Sequence, residues 1–148
     1  GDAQTGAVAS VPVYYYSSVS NLTGRFAEHL AAQTGRAVFN LADAAVRHRE
    51  VDTPWVLLTP SYKAGNADEV TLPAPVRAFL LSPLNRRRLV GIIGSGNRNF
   101  GAYYQAAARE LAAASGRPVL FEFELSGTPE DVDACARILD KLDAALPR

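Results

Sequence analysis

Three polar stretches hold the residue types from which chemistry could be built. The first, Ser17-Ser18-Val19-Ser20-Asn21-Leu22-Thr23-Gly24, sets four hydroxyl side chains and an amide directly before a segment with helical character. Unpaired N–H groups and the dipole at a helix start already favour an anion. The stretch therefore has the makings of a phosphate cradle, although it carries no Lys or Arg. An ordinary capping loop would use one or two of these hydroxyls, so the stretch alone leaves both readings open. The second and third, Tyr62-Lys63-Ala64-Gly65-Asn66 and Gly96-Asn97-Arg98-Asn99-Phe100-Gly101, each combine an aromatic ring with glycine and amide groups. A flat heterocycle can stack on such a ring while backbone and Asn groups reach its edge. Taken singly, Phe100 would close the core and Tyr62 would be a surface aromatic.

The elements that must position these stretches are legible from hydrophobic runs and breakers. Residues 11–16 form a short β-branched and aromatic run, the pattern of a buried strand that feeds the first stretch. Phe26, Leu30 and several alanines at helical spacing predict a helix over 25–33, stopped by Gly35. A second strand is predicted at 37–39, while the polar segment 42–52 has no assignable pattern. Continuous apolar runs at 55–59 and 89–94 read as strands covered on both faces, and each ends in one of the polar stretches. Helices are predicted at 73–81, 103–115 and 129–146, with a fifth strand at 118–123. Thr128 before Pro129, Glu130 and Asp131 marks the last helix start. Strands alternating with helices predict an α/β fold: a doubly wound, five-stranded parallel sheet with helices on both faces. In such a sheet ligands bind beyond the carboxyl ends of the strands, where all three polar stretches fall.

Composition removes several other classes. The chain has 148 residues, 48% of them hydrophobic, which fits one folded domain over 11–148 preceded by a small, polar tail at 1–10. Fifteen basic against fifteen acidic residues leave no net field to recruit nucleic acid or an anionic membrane. One cysteine excludes an internal disulfide, and two histidines make a zinc site dependent on carboxylates. No apolar run nears the roughly 20 residues of a membrane span, and the start lacks the pattern of a signal peptide, so the expected location is the cytoplasm. Without that signal the sequon Asn21-Leu22-Thr23 is incidental. Ser17 and Ser18 stand where a receiver domain needs carboxylates, no Walker lysine motif is present, and Gly94-Ser95-Gly96 lacks a dinucleotide glycine pattern. Cys135 falls on the apolar stripe of Val132, Leu139 and Leu142, a core position. His29 and His48 have no evident acid–base partner, and Arg86-Arg87-Arg88 reads as a solvated helix end before a strand, with a partner-docking patch as the alternative.

Across nearly the whole chain from Val13 onward these residues resemble the NrdI flavoproteins, flavodoxin-like activators of class Ib ribonucleotide reductase. The resemblance is carried by Tyr15-Tyr16-Ser17-Ser18-Val19-Ser20 with Thr23 and Arg25-Phe26, by Pro60-Ser61-Tyr62, by 95–101, and by Phe123-Glu124-Leu125-Ser126-Gly127-Thr128. It implies a flavodoxin-like fold and bound FMN. The phosphate would lie among Ser17, Ser18, Ser20, Asn21, Leu22 and Thr23. The ring would lie between Ser61, Tyr62, Lys63, Ala64 and Gly65 on one side and Gly96, Asn97, Arg98, Asn99, Phe100 and Gly101 on the other. It further implies an electron-donating reductase and O2, with the resulting superoxide- or peroxide-type oxidant passed to the dimanganese site of the small reductase subunit for radical assembly. No metal site is implied on this chain.

Ordinary electron-carrying flavodoxins are strongly acidic, which disfavours added negative charge on a reduced flavin. This chain is neutral and places Lys63 and Arg98 in the stretches expected to meet the ring, so nearby cations should stabilise that charge. Its first stretch departs from the family pattern, with Leu22 where an Asn amide would meet the phosphate. The lost hydrogen bond is worth about 1.5–3 kcal/mol unless Asn21 or backbone groups replace it. The 63–66 segment is also less glycine-rich than in many relatives. A single-electron flavodoxin and a flavin-free docking module are the alternative functions.

Overall fold

A computed structural model describes residues 10–61, 72–96 and 105–146. Its five strands are all parallel and lie in the order β2-β1-β3-β4-β5, one of the two common doubly wound arrangements. They are β1 (Val13–Tyr15), β2 (Val38–Asn40), β3 (Trp55–Pro60), β4 (Leu89–Gly96) and β5 (Val119–Glu124). The chain first steps from β1 outward to β2, then returns to the other side of β1 as β3. That reversal places the switch point at the carboxyl ends of β1 and β3.

Alternation along the inner strands divides the core in two. Val13, Tyr15, Val56, Leu58 and Ile93 face one side and pack under α1 (Leu22–Thr34) and α6 (Pro129–Ala145), where Phe26 stacks on Phe123 at 3.8 Å between ring centres. Tyr14, Trp55, Leu57 and Ile92 face the other, under α2 (Ala44–Arg47), α3 (Ala74–Phe79) and α5 (Ala106–Ser115). The expected doubly wound sheet with helices on both faces is what the chain forms. Cys135 is fully buried on the α1/α6 side, and burial pushes its thiol up to about 12. It is core, as its stripe predicted.

Caps and breakers set most boundaries where the sequence placed them. Gly35 takes φ of 72° and donates its N–H to Ala31 O, ending α1. Thr128 and Asp131 complete a reciprocal capping box at the start of α6. Three details differ from the sequence reading. Helix α1 starts at Leu22 rather than 25, because Asn21 turns the chain in the left-handed region at φ of 58°. The unassigned segment holds α2, a single turn capped by Asp43. Residues 73–81 form α3 alone, and Ser82-Pro83 starts a separate short helix, α4 (Pro83–Arg88), with Ser82 as its cap. Arg86 and Arg87 are exposed at its end, immediately before β4. Residues 1–9 of the expected tail and the expected helix start at 103–104 lie outside the described residues.

A buried asparagine binds this irregular region together. Asn85 of α4 donates to Arg49 O and Phe79 O, both at 2.9 Å, and accepts the Val51 N–H at 2.8 Å. Its own carbonyl takes the indole N–H of Trp55. At the amino end of β1, Arg36 and Asp143 form a buried ion pair at 3.0 Å, with Val11 bonded to both.

Candidate functional site

Pairing in register brings the ends of β1, β3 and β4 side by side, with Tyr15 opposite Leu58, and Pro60 opposite Ser95. Ser17, Ser61 and Gly96 follow or close these strands and so lie along one carboxyl edge of the sheet. Helices α1 and α5, which follow β1 and β4 at this edge, share a start that sets them apart from the other helices. Their preceding residues, Asn21 and Gln105, are left-handed at φ of 58° and 59°, and neither side chain caps its helix. By contrast, Asp43, Ser82 and Thr128 cap α2, α4 and α6 from the ordinary extended conformation, and Pro73 precedes α3 in that conformation without a side-chain cap.

A serine from a strand end takes one N–H of α1 and one of α5. Ser17 Oγ accepts from Gly24 at 2.9 Å, and Ser61 Oγ accepts from Ala107 at 2.8 Å, both buried. Asn21 Oδ1 lies only 2.0 Å from where a Cβ at Gly24 would stand, so the amide can fold over the first turn of α1 because residue 24 is glycine. Thr23 Oγ1 pairs with Ser95 Oγ at 2.8 Å, and Ser18 Oγ with Ser20 Oγ at 2.9 Å. A hydroxyl pair shares one proton and leaves the other free to donate. The loop thus offers O–H donors around N–H groups of α1 for which Asn21 supplies no cap. These residues fit an anionic phosphate at the start of α1. Leu22, the first residue of α1, is half-buried and adds no polar atom to its side of the loop.

The structure brings Ser17, Ser18, Ser20, Asn21, Leu22 and Thr23 together, with Ser61 and Gly96 on the adjoining strand ends. Gly96 O accepts from the N–H of Leu125, which is itself left-handed at φ of 57°. Tyr62, Lys63, Ala64 and Gly65, and Asn97, Arg98, Asn99, Phe100 and Gly101, lie outside the described residues. Two further residues were not singled out as site candidates by sequence. Ser95, 2% exposed, reaches Thr23 across the sheet edge. Gln105 is fully buried, donates Nε2 to Phe123 O and leaves Oε1 without a partner among the described residues. The sequence signal for Ser95 was a hydroxyl closing an otherwise apolar and glycine strand. Gln105 gave none, because an amide beside alanines looks like solvated helix surface.

A cavity of about 500 Å³ opens at the opposite, amino end of the sheet, lined by Val11, Pro12, Phe39, Arg49 and Pro54 among others. It lies at the wrong end of the strands for a switch-point ligand. Burial pushes the Tyr14 phenol there above its ordinary value, with Arg49 beside it opposing the shift. Among the described residues there is no cluster of metal-binding side chains, and no helix long and apolar enough to cross a membrane.

Comparison with known proteins agrees with this geometry. Residues 13–137 match the family model described as NrdI Flavodoxin like. The chain is 39% identical over 129 residues to the Protein NrdI of Bartonella tribocorum, covering 87% of this chain and 93% of that one. Among solved structures it is similar to oxidised flavodoxin 2 from Bacillus cereus, with a TM-score of 0.61 at 14% identity over 93% of this chain and all of that one (100%). It is also similar to a Fusobacterium nucleatum flavodoxin bound to flavin mononucleotide, with a TM-score of 0.52 at 13% identity over 93% of this chain and 98% of that one. These structures establish the flavodoxin fold, and the sequence match is more specific: the chain belongs to the NrdI family of flavodoxin-like proteins.

Proposed function

We propose that this protein is an FMN-binding redox activator of ribonucleotide reductase, with the 17–23 loop holding the phosphate and the 61–65 and 96–101 segments flanking the ring. Family membership supports the cofactor and the partner. The observation that carries the reading is the start of α1, left uncapped by Asn21 and framed by the hydroxyls of Ser17 and Thr23. An anion completes that helix terminus where an ordinary cap is missing.

When bound, FMN supplies the electron transfer and the reaction with O2. The chain's own residues bind and orient it. Ser17 steadies the first turn of α1, Thr23 and its neighbours hold the phosphate, and Tyr62 and Phe100 pack against the ring. Lys63 and Arg98 set the local charge in favour of the reduced, more negative cofactor. In this reading an electron-donating reductase loads the protein in the cytoplasm. The oxidant generated from O2, of superoxide or peroxide type, passes to the dimanganese site of the class Ib small subunit, where the radical cofactor is assembled.

Titration of FMN, with riboflavin as the phosphate-free control, tests the site by quenching of flavin fluorescence. FMN should bind far more tightly than riboflavin. Equal affinity, or no binding of either, would overturn the assignment of the 17–23 loop.

A further inference from the structure

We propose that Ser95 is a positioning residue for the cofactor phosphate, acting through Thr23: its hydroxyl donates to Thr23 Oγ1 and frees the Thr23 proton to point at the phosphate. This rests on the reading of the 17–23 loop as the phosphate site.

Ser95 and Thr23 are 2% and 5% exposed, and their oxygens lie 2.8 Å apart. Water therefore does not satisfy either group, and the pair must share a proton. Two arrangements are available. If Thr23 donates to Ser95, its proton is consumed within the protein. If Ser95 donates to Thr23, the Thr23 proton is left for an acceptor at the start of α1.

Thr23 is the second residue of α1, whose opening turn carries partial positive charge and draws an anion. With an anion there, the second arrangement is the favoured one. Two hydroxyls in series, each polarising the next in a water-poor setting, then donate more strongly than one alone. The contact also joins α1 to β4 one residue before Gly96, the first residue of the segment expected beside the ring. Ser17 differs in that its oxygen accepts the Gly24 N–H, which leaves its own proton free without help from a second hydroxyl.

The test measures FMN and riboflavin affinities for the unaltered chain and for Ser95→Ala, Ser95→Cys, Thr23→Val and the Thr23→Val/Ser95→Ala double variant. Ser95→Ala should weaken FMN about three- to tenfold, the range of one lost neutral hydrogen bond, and leave riboflavin unchanged. Ser95→Cys keeps a side chain in the space, guards against a fold lost to a cavity, and should show the same selective loss. The double variant should bind FMN no more weakly than Thr23→Val, because Ser95 acts through Thr23. Unchanged FMN binding in Ser95→Ala and Ser95→Cys, equal weakening of both flavins, or additive losses in the double variant would overturn the inference. An unaltered chain without preference for FMN over riboflavin would instead remove the phosphate site on which it rests. A preference for FMN that is undiminished at Ser95→Ala removes the role of Ser95 alone.

Discussion

Leu22 is one of two places where this chain departs from the family pattern, the other being 63–66, and the structure shows what surrounds it. Its side chain is half-buried at the first position of α1, while Asn21 beside it is left-handed and makes no side-chain cap. Asn21 instead lies over Gly24, so it does not replace an amide at position 22 by capping the helix. The surviving donors are the hydroxyl groups and the backbone of the loop. Replacing Leu22→Asn should add a hydrogen bond to a charged group and tighten FMN about tenfold, with riboflavin unaffected. Calorimetric titration of the two flavins checks this; unchanged or weakened FMN binding would mean the loop already saturates the phosphate.

Among elements, the stretch from α2 to α4 shows how a tertiary contact replaces local pattern. The turns involved are too short to carry an amphipathic period, and α4 ends in three consecutive arginines. What holds them is Asn85, fully buried, which bonds Arg49 and Val51 from the connection after α2 and Phe79 from the end of α3. Asn85→Leu should cost about 3 kcal/mol or more, because it leaves buried carbonyl and N–H groups unpaired. Urea unfolding should show the loss as a lower midpoint at unchanged slope. Since this region lies under the α3 side of the sheet, FMN affinity of the remaining folded protein should be unaltered. The long elements behaved differently. The apolar runs of β3 and β4, the Gly35 stop and the Thr128 cap each carry a local physical cause, and each was legible before the fold was known. The left-handed Asn21 and Gln105 were not, because nothing local distinguishes an amide residue before a helix that caps it from one that turns it.

For the whole molecule, the order β2-β1-β3-β4-β5 is what gathers residues that are distant in sequence. It brings the ends of β1, β3 and β4 to a shared edge, where Ser17, Ser61 and Ser95 all turn their hydroxyls to the starts of α1 and α5. The parallel sheet and the hydroxyl cluster at 17–23 were legible in sequence because hydrophobic runs and hydroxyl clusters are local. The Thr23–Ser95 contact spans 72 positions and needed the fold. The chain carries no net negative charge, so its overall field does not oppose the added negative charge of a reduced cofactor in the proposed function. The most direct measurement is radical yield, by electron paramagnetic resonance, in a manganese-loaded class Ib small subunit exposed to O2. A high yield with the reduced FMN-loaded protein and none with free reduced FMN is predicted. Equal yields with and without the protein would contradict its role as the activator.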